Sequence, residues 1–325
     1  MEVHRTREHA KATPVTHPST SEISRRTLLV AMSGLLSGAA FARGEGNDSQ
    51  PATAASEAYT PAGFKHALPP EALEQPLATL EQPGALDLDD PEGLRLARMK
   101  TMFSLNADYA YSAYMTRHFV MPPDDTPYPL VNELELNVSF LTTGGPEFRE
   151  EYEQGKLMLH GSYTRVFLDA ATLQTVDAID VPAMNRRLTL APTQFALSIP
   201  MDLAPIPHDP TLSEDLRWYR FGEDVHLTNI ALFEPSESRP PRMDTSVWRV
   251  NHADLMDPAH RRLHAHYSFT ASSYAALYAW TGLGADDPTR VVTSKAGIKV
   301  HTIDALPALV RERILEKHPE RVPVK

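Results

Sequence analysis

The sequence predicts a mostly β domain: an antiparallel sheet curled into a β-barrel-like shape, with a short N-terminal helix and a C-terminal amphipathic helix. Three observations predict it. Long stretches alternate apolar and polar residues with a period of two, as half-buried strands do. Proline is frequent (28) and glycine sparse (15), and many prolines separate apolar runs, as in Pro122-Pro123, Pro205-Ile206-Pro207 and Pro240-Pro241, which suits strands and turns better than long helices. Neither the spacing of βαβ units nor a repeat of fixed period is present.

The chain opens on a different pattern. Ser24-Arg25-Arg26-Thr27-Leu28-Leu29 precedes an apolar run that ends at Ala40-Phe41-Ala42. A basic start, a short apolar centre and a small-x-small exit make up a bacterial export signal. Paired arginines Arg25 and Arg26, with serine before and two leucines after, are similar to the twin-arginine (Tat) signal. The apolar centre is roughly 15 residues, short of the ~20 a membrane span needs. Residues 1–42 are therefore expected to be removed near Ala42, giving a periplasmic or secreted protein with the Tat translocase as its partner during export and no stable membrane anchor. Residues 43–84, rich in Ala, Pro, Glu, Thr and Ser, read as a flexible arm, and 85–325 as a single β-rich domain.

Composition excludes several function classes. The signal carries five Lys/Arg and three Asp/Glu, so its removal moves the formal charge from -11 to -13. An acidic chain without a basic stripe is a poor nucleic-acid binder, because phosphate contacts need Lys and Arg. With no cysteine, disulfides, thiolate metal sites, iron–sulfur clusters and cysteine nucleophiles are out. Gly-x-Ser-x-Gly is missing from the mature chain, as are Gly-x-Gly-x-x-Gly, the phosphate-binding Gly-Lys-Ser/Thr loop and His-Glu-x-x-His. No cofactor is named by any motif.

The elements follow in order. Asp90-Pro91-Glu92 reads as a helix start, with a cap, a proline at the first position and an acid near the positive end; the helix should run to about Lys100. Tyr109–Phe119, Val131–Leu141 and Lys156–Leu168 alternate as three long strands, with a turn over 169–172. Further strands are expected over 173–181, 187–191, 194–199, 216–221, 225–233, 246–252 and 264–270. Leu306, Val310, Ile314 and Lys317 share one face of a helix that ends before Pro319.

Three groups of residues are candidates for chemistry. Tyr111, Arg117, Glu133, Glu135, His160 and Arg165 lie on three consecutive strands. A tyrosine, a carboxylate and an arginine aimed into one cavity suit proton abstraction beside a carbonyl, lyase chemistry or oxyanion stabilisation. Tyr111, Glu135, Arg165 and His266 are the catalytic candidates. Alternatively, Glu133 and Glu135 face solvent and Arg165 makes a structural ion pair. By alternation His160 faces away from Arg165. Trp248, Tyr267 and Trp280 are ligand-stacking candidates or core residues. His264 and His266, about 7 Å apart along one strand face, form a metal site if His252 or Asp254 joins them, or else belong to a polar loop.

Ala85-Leu86-Asp87-Leu88-Asp89-Asp90-Pro91-Glu92, Tyr163-Thr164-Arg165-Val166-Phe167-Leu168-Asp169 and Gly297-Ile298-Lys299-Val300 with Asp304-Ala305-Leu306-Pro307 carry a resemblance. Together with Ala253-Asp254-Leu255-Met256-Asp257-Pro258 they resemble the family known only as domain of unknown function 1838 (DUF1838), over about residues 85–322. The resemblance implies a mostly β domain, exported by Tat, that binds something small; it implies no catalytic residues. The sequence thus points to an enzyme working by acid/base chemistry, as a lyase, isomerase or hydrolase without a cofactor, on a small apolar or aromatic metabolite in a barrel cavity. A non-catalytic carrier or sensor and a His-ligated metal enzyme are the alternatives.

Overall fold

The computed structural model describes residues 75–77, 80–124, 126–143, 157–181, 185–190, 192–200, 212–233, 242–274 and 287–319. Helix α1 (Pro91–Met102) begins as its sequence predicts. The Asp90 side chain accepts from the Gly93 amide at 2.9 Å, Pro91 occupies the first turn, and Glu92 and Lys100 sit at the ends that favour their charges. A Cβ on Gly93 would lie 2.0 Å from the Asp87 carbonyl oxygen, so only glycine lets the preceding loop fold back on this turn.

Among the described residues eleven strands follow: β1 (Ala110–Met121), β2 (Tyr128–Thr142), β3 (Met158–Leu168), β4 (Ala178–Val181), β5 (Arg186–Thr189), β6 (Thr193–Pro200), β7 (Leu212–Phe221), β8 (Asp224–Phe233), β9 (Arg242–Asn251), β10 (Ala265–Tyr274) and β11 (Arg290–Val300). Helix α2 (His252–Met256) separates β9 from β10. Nine strands form one antiparallel sheet in the order β6-β3-β2-β1-β11-β10-β9-β8-β7, and β4 and β5 make a separate hairpin. The fold is mostly β and antiparallel, as predicted, but the sheet is not closed into a barrel: β6 and β7 are its edges. β1–β2–β3 is one meander and β7 to β11 another. The two become one sheet only because the last strand, β11, pairs with the first, β1.

β11 is the one long described strand absent from the predicted set. Its burial alternates over most of its length, with Val291, Thr293, Lys295 and Lys299 buried. Two of those four are lysines, which sequence reasoning assigns to water. Elsewhere the differences are at boundaries. The predicted strand over 173–181 is only Ala178–Val181, because the turn extends through Leu173, whose φ is 57°; Asp169 holds that turn by accepting from Ala171 and Thr172. The predicted C-terminal helix is broken into a 3₁₀ turn (Ile303–Ala305), a short α3 (Ala308–Val310) and a π turn (Arg311–Leu315). Leu306, Val310 and Ile314 are buried as expected, and Lys317 is exposed.

Antiparallel partners directly opposite each other share a face, so the registers sort the side chains. One face carries an unbroken row: Trp218, Leu227, Trp248, Tyr267, Gly297, Tyr114, Glu135 and Arg165. α1 covers part of this face, with Met102 against Trp248 and Tyr267. The C-terminal helical segment covers the opposite face of β2 and β3, where His318 bonds Gln194 at 2.8 Å. Ordered packing starts before Ala85: Leu77 and Leu80 are in the main core, and Pro76 bridges to Asn106.

Two buried lysines tie β11 to α1 and α1 to α2. Lys299 Nζ donates to the Lys100 and Phe103 carbonyls at 3.2 and 2.7 Å, at the end of α1. Lys100 Nζ donates to Gln82 Oε1 and to the Asp254, Leu255 and Asp257 carbonyls at 2.7–3.0 Å, at the end of α2. Cations suit these helix C-termini, where unpaired carbonyls gather. Burial lowers both amines, Lys100 to about 8 and Lys299 well below its ordinary value.

Candidate functional site

The densest buried polar group lies on the face of the aromatic row, where β3, β2, β1 and β11 run side by side. Glu133 and Glu135 project from β2, Thr116 and His118 from β1, Tyr163 and Arg165 from β3, and Thr293 and Lys295 from β11. All eight are 6 % exposed or less.

Glu135 is held by three donors. Thr116 Oγ1 donates to Oε1 at 2.6 Å, the Tyr163 hydroxyl to Oε2 at 3.1 Å, and Lys295 Nζ lies 2.6 Å from Oε1 and 2.8 Å from Oε2. Glu133 receives Arg165 Nη1 at 2.9 Å on Oε1 and faces His118 Nε2 at 2.6 Å on Oε2. The Tyr163 hydroxyl also reaches Glu133 Oε1 at 3.4 Å, so one phenol bridges both carboxylates. His118 Nδ1 faces the Thr293 hydroxyl at 3.2 Å. Two carboxylates thus balance one guanidinium and one ammonium. Burying such charges is tolerable only with this degree of pairing and hydrogen bonding.

The environment separates the roles of the acids. Burial by itself would raise the Glu133 carboxyl; Arg165, the His118 hydrogen bond and Lys295 outweigh it and hold Glu133 at about 2. Glu133 is therefore a fixed anion that orients Arg165 and His118. Burial, then the neighbouring Glu135 charge, pushes the Tyr163 phenol well above its ordinary value, so it remains a hydroxyl donor. Arg165 is raised further still, since Glu133 more than offsets the burial. Glu135 is shared by an alcohol, a phenol and an amine.

An aromatic wall continues from this cluster. The Tyr114 ring lies 5.1 Å from Lys295 Nζ and meets Tyr267 edge-on at 5.2 Å; Tyr267 packs on Trp248 at 4.5 Å. Gly297 makes room for it, because a Cβ there would sit 2.4 Å from Tyr114 Cδ1 and 2.2 Å from the Ala113 carbonyl oxygen. Beside Trp248 and Tyr267, a cavity of about 20 Å³ is bounded by Arg98, Asp244 and Met102, enough for about one water molecule.

The predicted site residues divide cleanly. Glu135, Arg165, Trp248 and Tyr267 share one row and one face. Tyr111 and His266 do not join them. Tyr111 is opposite Val138 and Val300, and His266 opposite Ile298, which puts both on the other face; His266 is exposed there. They are replaced in the cluster by Tyr163 and by Thr116, His118 and Lys295. Arg117 also faces away, and His160, as alternation requires, is on the face opposite Arg165, bonded to Thr142 at 2.9 Å. The solvent-facing alternative for Glu133 and Glu135 is overturned by their burial.

The metal set is not assembled either. His252 starts α2, His264 precedes β10 near His301, and His266 lies out on the strand face; among the described residues no group of three His, Asp or Glu side chains is placed to hold an ion. Trp280, Arg25 and Arg26 lie outside the described residues. His118, Thr116 and Tyr163 were missed because the period of two sorts a strand's residues into two sets without saying which set meets which set next door. Lys295 was missed with its strand.

Comparison with known proteins adds no relative: no family model, no curated protein and no solved structure matches the chain.

Proposed function

We propose that this chain is an exported enzyme that moves a proton next to a carbonyl on a small apolar or aromatic molecule, with Glu135 as the base. The observation that carries this reading is the convergence on Glu135 of Thr116, Tyr163 and Lys295, at the end of an aromatic wall. For a carbonyl compound to bring its α-carbon to Glu135, the Tyr114 and Tyr267 rings, which meet edge-on in the folded chain, must part. Tyr163 or Lys295 then donates to the oxygen as charge develops there, in a site from which water is largely excluded. Arg165 and Glu133 hold the donors in place. Export rests on the Arg25-Arg26 signal, and the likeness to the DUF1838 family agrees with it.

The test is isotope exchange. Deuterium uptake at the α-carbon of phenylacetone, phenylpyruvate and cyclohexanone is followed by proton NMR in D₂O. The wild-type chain should accelerate uptake for at least one, and Glu135→Gln should return it to the buffer rate. Buffer rates with all three removes the enzymatic reading. A second reading, a carrier of the same class of molecule, is favoured by the complete charge pairing of the cluster. It predicts saturable quenching of tryptophan fluorescence by these probes without exchange.

A further inference from the structure

The two edges of the nine-stranded sheet are built differently. β6 begins after Pro192 and ends at Pro200, residues with no amide to offer a further strand. β7, the other edge, runs ten residues without a proline, a lysine or a break in its register with β8. Those are devices that keep an edge from pairing, and among the described residues no strand pairs with its outer side. The hairpin fixes which backbone groups point out. Gly222, at φ 61°, and Glu223 make a two-residue turn, so Phe221 and Asp224 exchange hydrogen bonds. By alternation Tyr219, Arg217 and Asp215 also bond to β8, while Leu216, Trp218 and Arg220 aim their amides and carbonyls outward. Asp215 and Arg217 lie on the sheet face opposite the aromatic row, with Arg217 Nε 2.8 Å from Asp215 Oδ1. The Arg217 and Asp215 side chains are 62 % and 47 % exposed, which leaves room for a second partner on each.

We propose that β7 is a dimer interface, pairing antiparallel with β7 of a second copy about a two-fold axis at Leu216. Leu216 belongs to the outward set, so the two copies exchange backbone hydrogen bonds there, and Trp218 and Arg220 extend the ladder to either side. Residues directly opposite share a face and touch. This register sets Asp215 of each copy opposite Arg217 of the other, and four charges of alternating sign surround the axis. Centring the pair on Arg217 would set two guanidiniums against each other. Centring it on Trp218 would set Asp215 opposite Phe221 and Arg217 opposite Tyr219, with no opposite charges paired. The charge pattern therefore selects a second copy as the occupant, since one strand carries both halves of the match. Tyr219 and Phe221, 44 % and 64 % exposed, lie on the same face of the strand, so pairing covers apolar surface as well as the ladder. One strand pair is a small contact beside the roughly 1,200–2,000 Å² of stable interfaces, so the dimer dissociates on dilution. The surface is at the far edge from the Glu135 cluster and does not depend on the chemistry proposed there.

The experiment is sedimentation velocity of the full chain over a dilution series, with two charge variants. Wild type should show a reversible monomer–dimer equilibrium. Asp215→Arg brings only arginines to the axis and Arg217→Asp only aspartates, so each alone should raise the dissociation constant at least about tenfold. An equimolar mixture of the two should dimerise again, because each then meets the opposite charge in its partner. The chain carrying both substitutions should dimerise by itself. Both positions are exposed, so the variants should keep native circular dichroism. Leu216→Pro, which removes an outward amide and none bonded to β8, should be monomeric. A wild-type chain that is monomeric at every concentration overturns the proposal and leaves the edge to an extended strand of another protein. A dimer that both charge variants leave intact overturns it too, as does a mixture that fails to dimerise while the single variants are folded.

Discussion

At the scale of single residues, Glu133 makes the acid behaviour of the fold specific. Its ordinary value is 4.5 and in the folded chain it is held at about 2. A depressed carboxyl contributes stability above its unfolded value and loses it as pH falls toward the folded one. The contribution should therefore be present above about pH 4.5 and disappear between there and about pH 2. We expect urea midpoints of the wild-type chain to fall through that window. Glu133→Gln should be less stable at neutral pH, because Arg165 loses its counter-charge while buried, and should be flatter across the acid range. Parallel acid limbs for the two proteins would show that Glu133 is not responsible. Residue type alone did not reveal this. Glu133 and Glu135 were visible as a polar stripe, but a stripe facing water and one facing a buried arginine have the same letters.

At the scale of elements, β11 decides where the site is. It delivers Lys295 beside Glu135, Thr293 beside His118 and Gly297 beneath Tyr114. Gly297→Ala places a methyl group against a neighbouring backbone oxygen, which cannot rotate away, and against the Tyr114 ring. Overpacking of this kind costs about 1–3 kcal/mol. Denaturant unfolding should register that loss, and the Lys295–Tyr114 approach should loosen with it; an unchanged midpoint would mean the strand shifts freely. α1 was readable from Asp90-Pro91-Glu92 because a helix cap is local chemistry, complete within four residues. β11 was not, since its burial pattern includes two lysines whose partners come from β2 and from the end of α1, far away in the chain.

At the scale of the whole molecule, two meanders are joined by one long-range pairing, and the polar cluster straddles the join. Neither half holds the site alone: Glu133, Glu135, Tyr163 and Arg165 come from one, Lys295 and the Trp248–Tyr267 wall from the other. A site completed only by the last strand fits the proposed export of an already folded chain. Replacing Arg25 and Arg26 together with lysine should leave the precursor inside the cell in a fractionation experiment, and export unaffected by the change would rule out the twin-arginine route. The sequence by itself determined the fold class, the α1 cap, most strand positions and the candidates Glu135, Arg165, Trp248 and Tyr267. Those follow from short-range periodicity and from residue chemistry. Only the tertiary structure decided that Tyr111 and His266 lie on the opposite face and that Lys295 and Tyr163 complete the group. It also showed that His252, His264 and His266 are not assembled into a metal set and that the sheet stays open. The reason is register: a period of two fixes which residues of a strand travel together, and a neighbouring strand fixes what they meet.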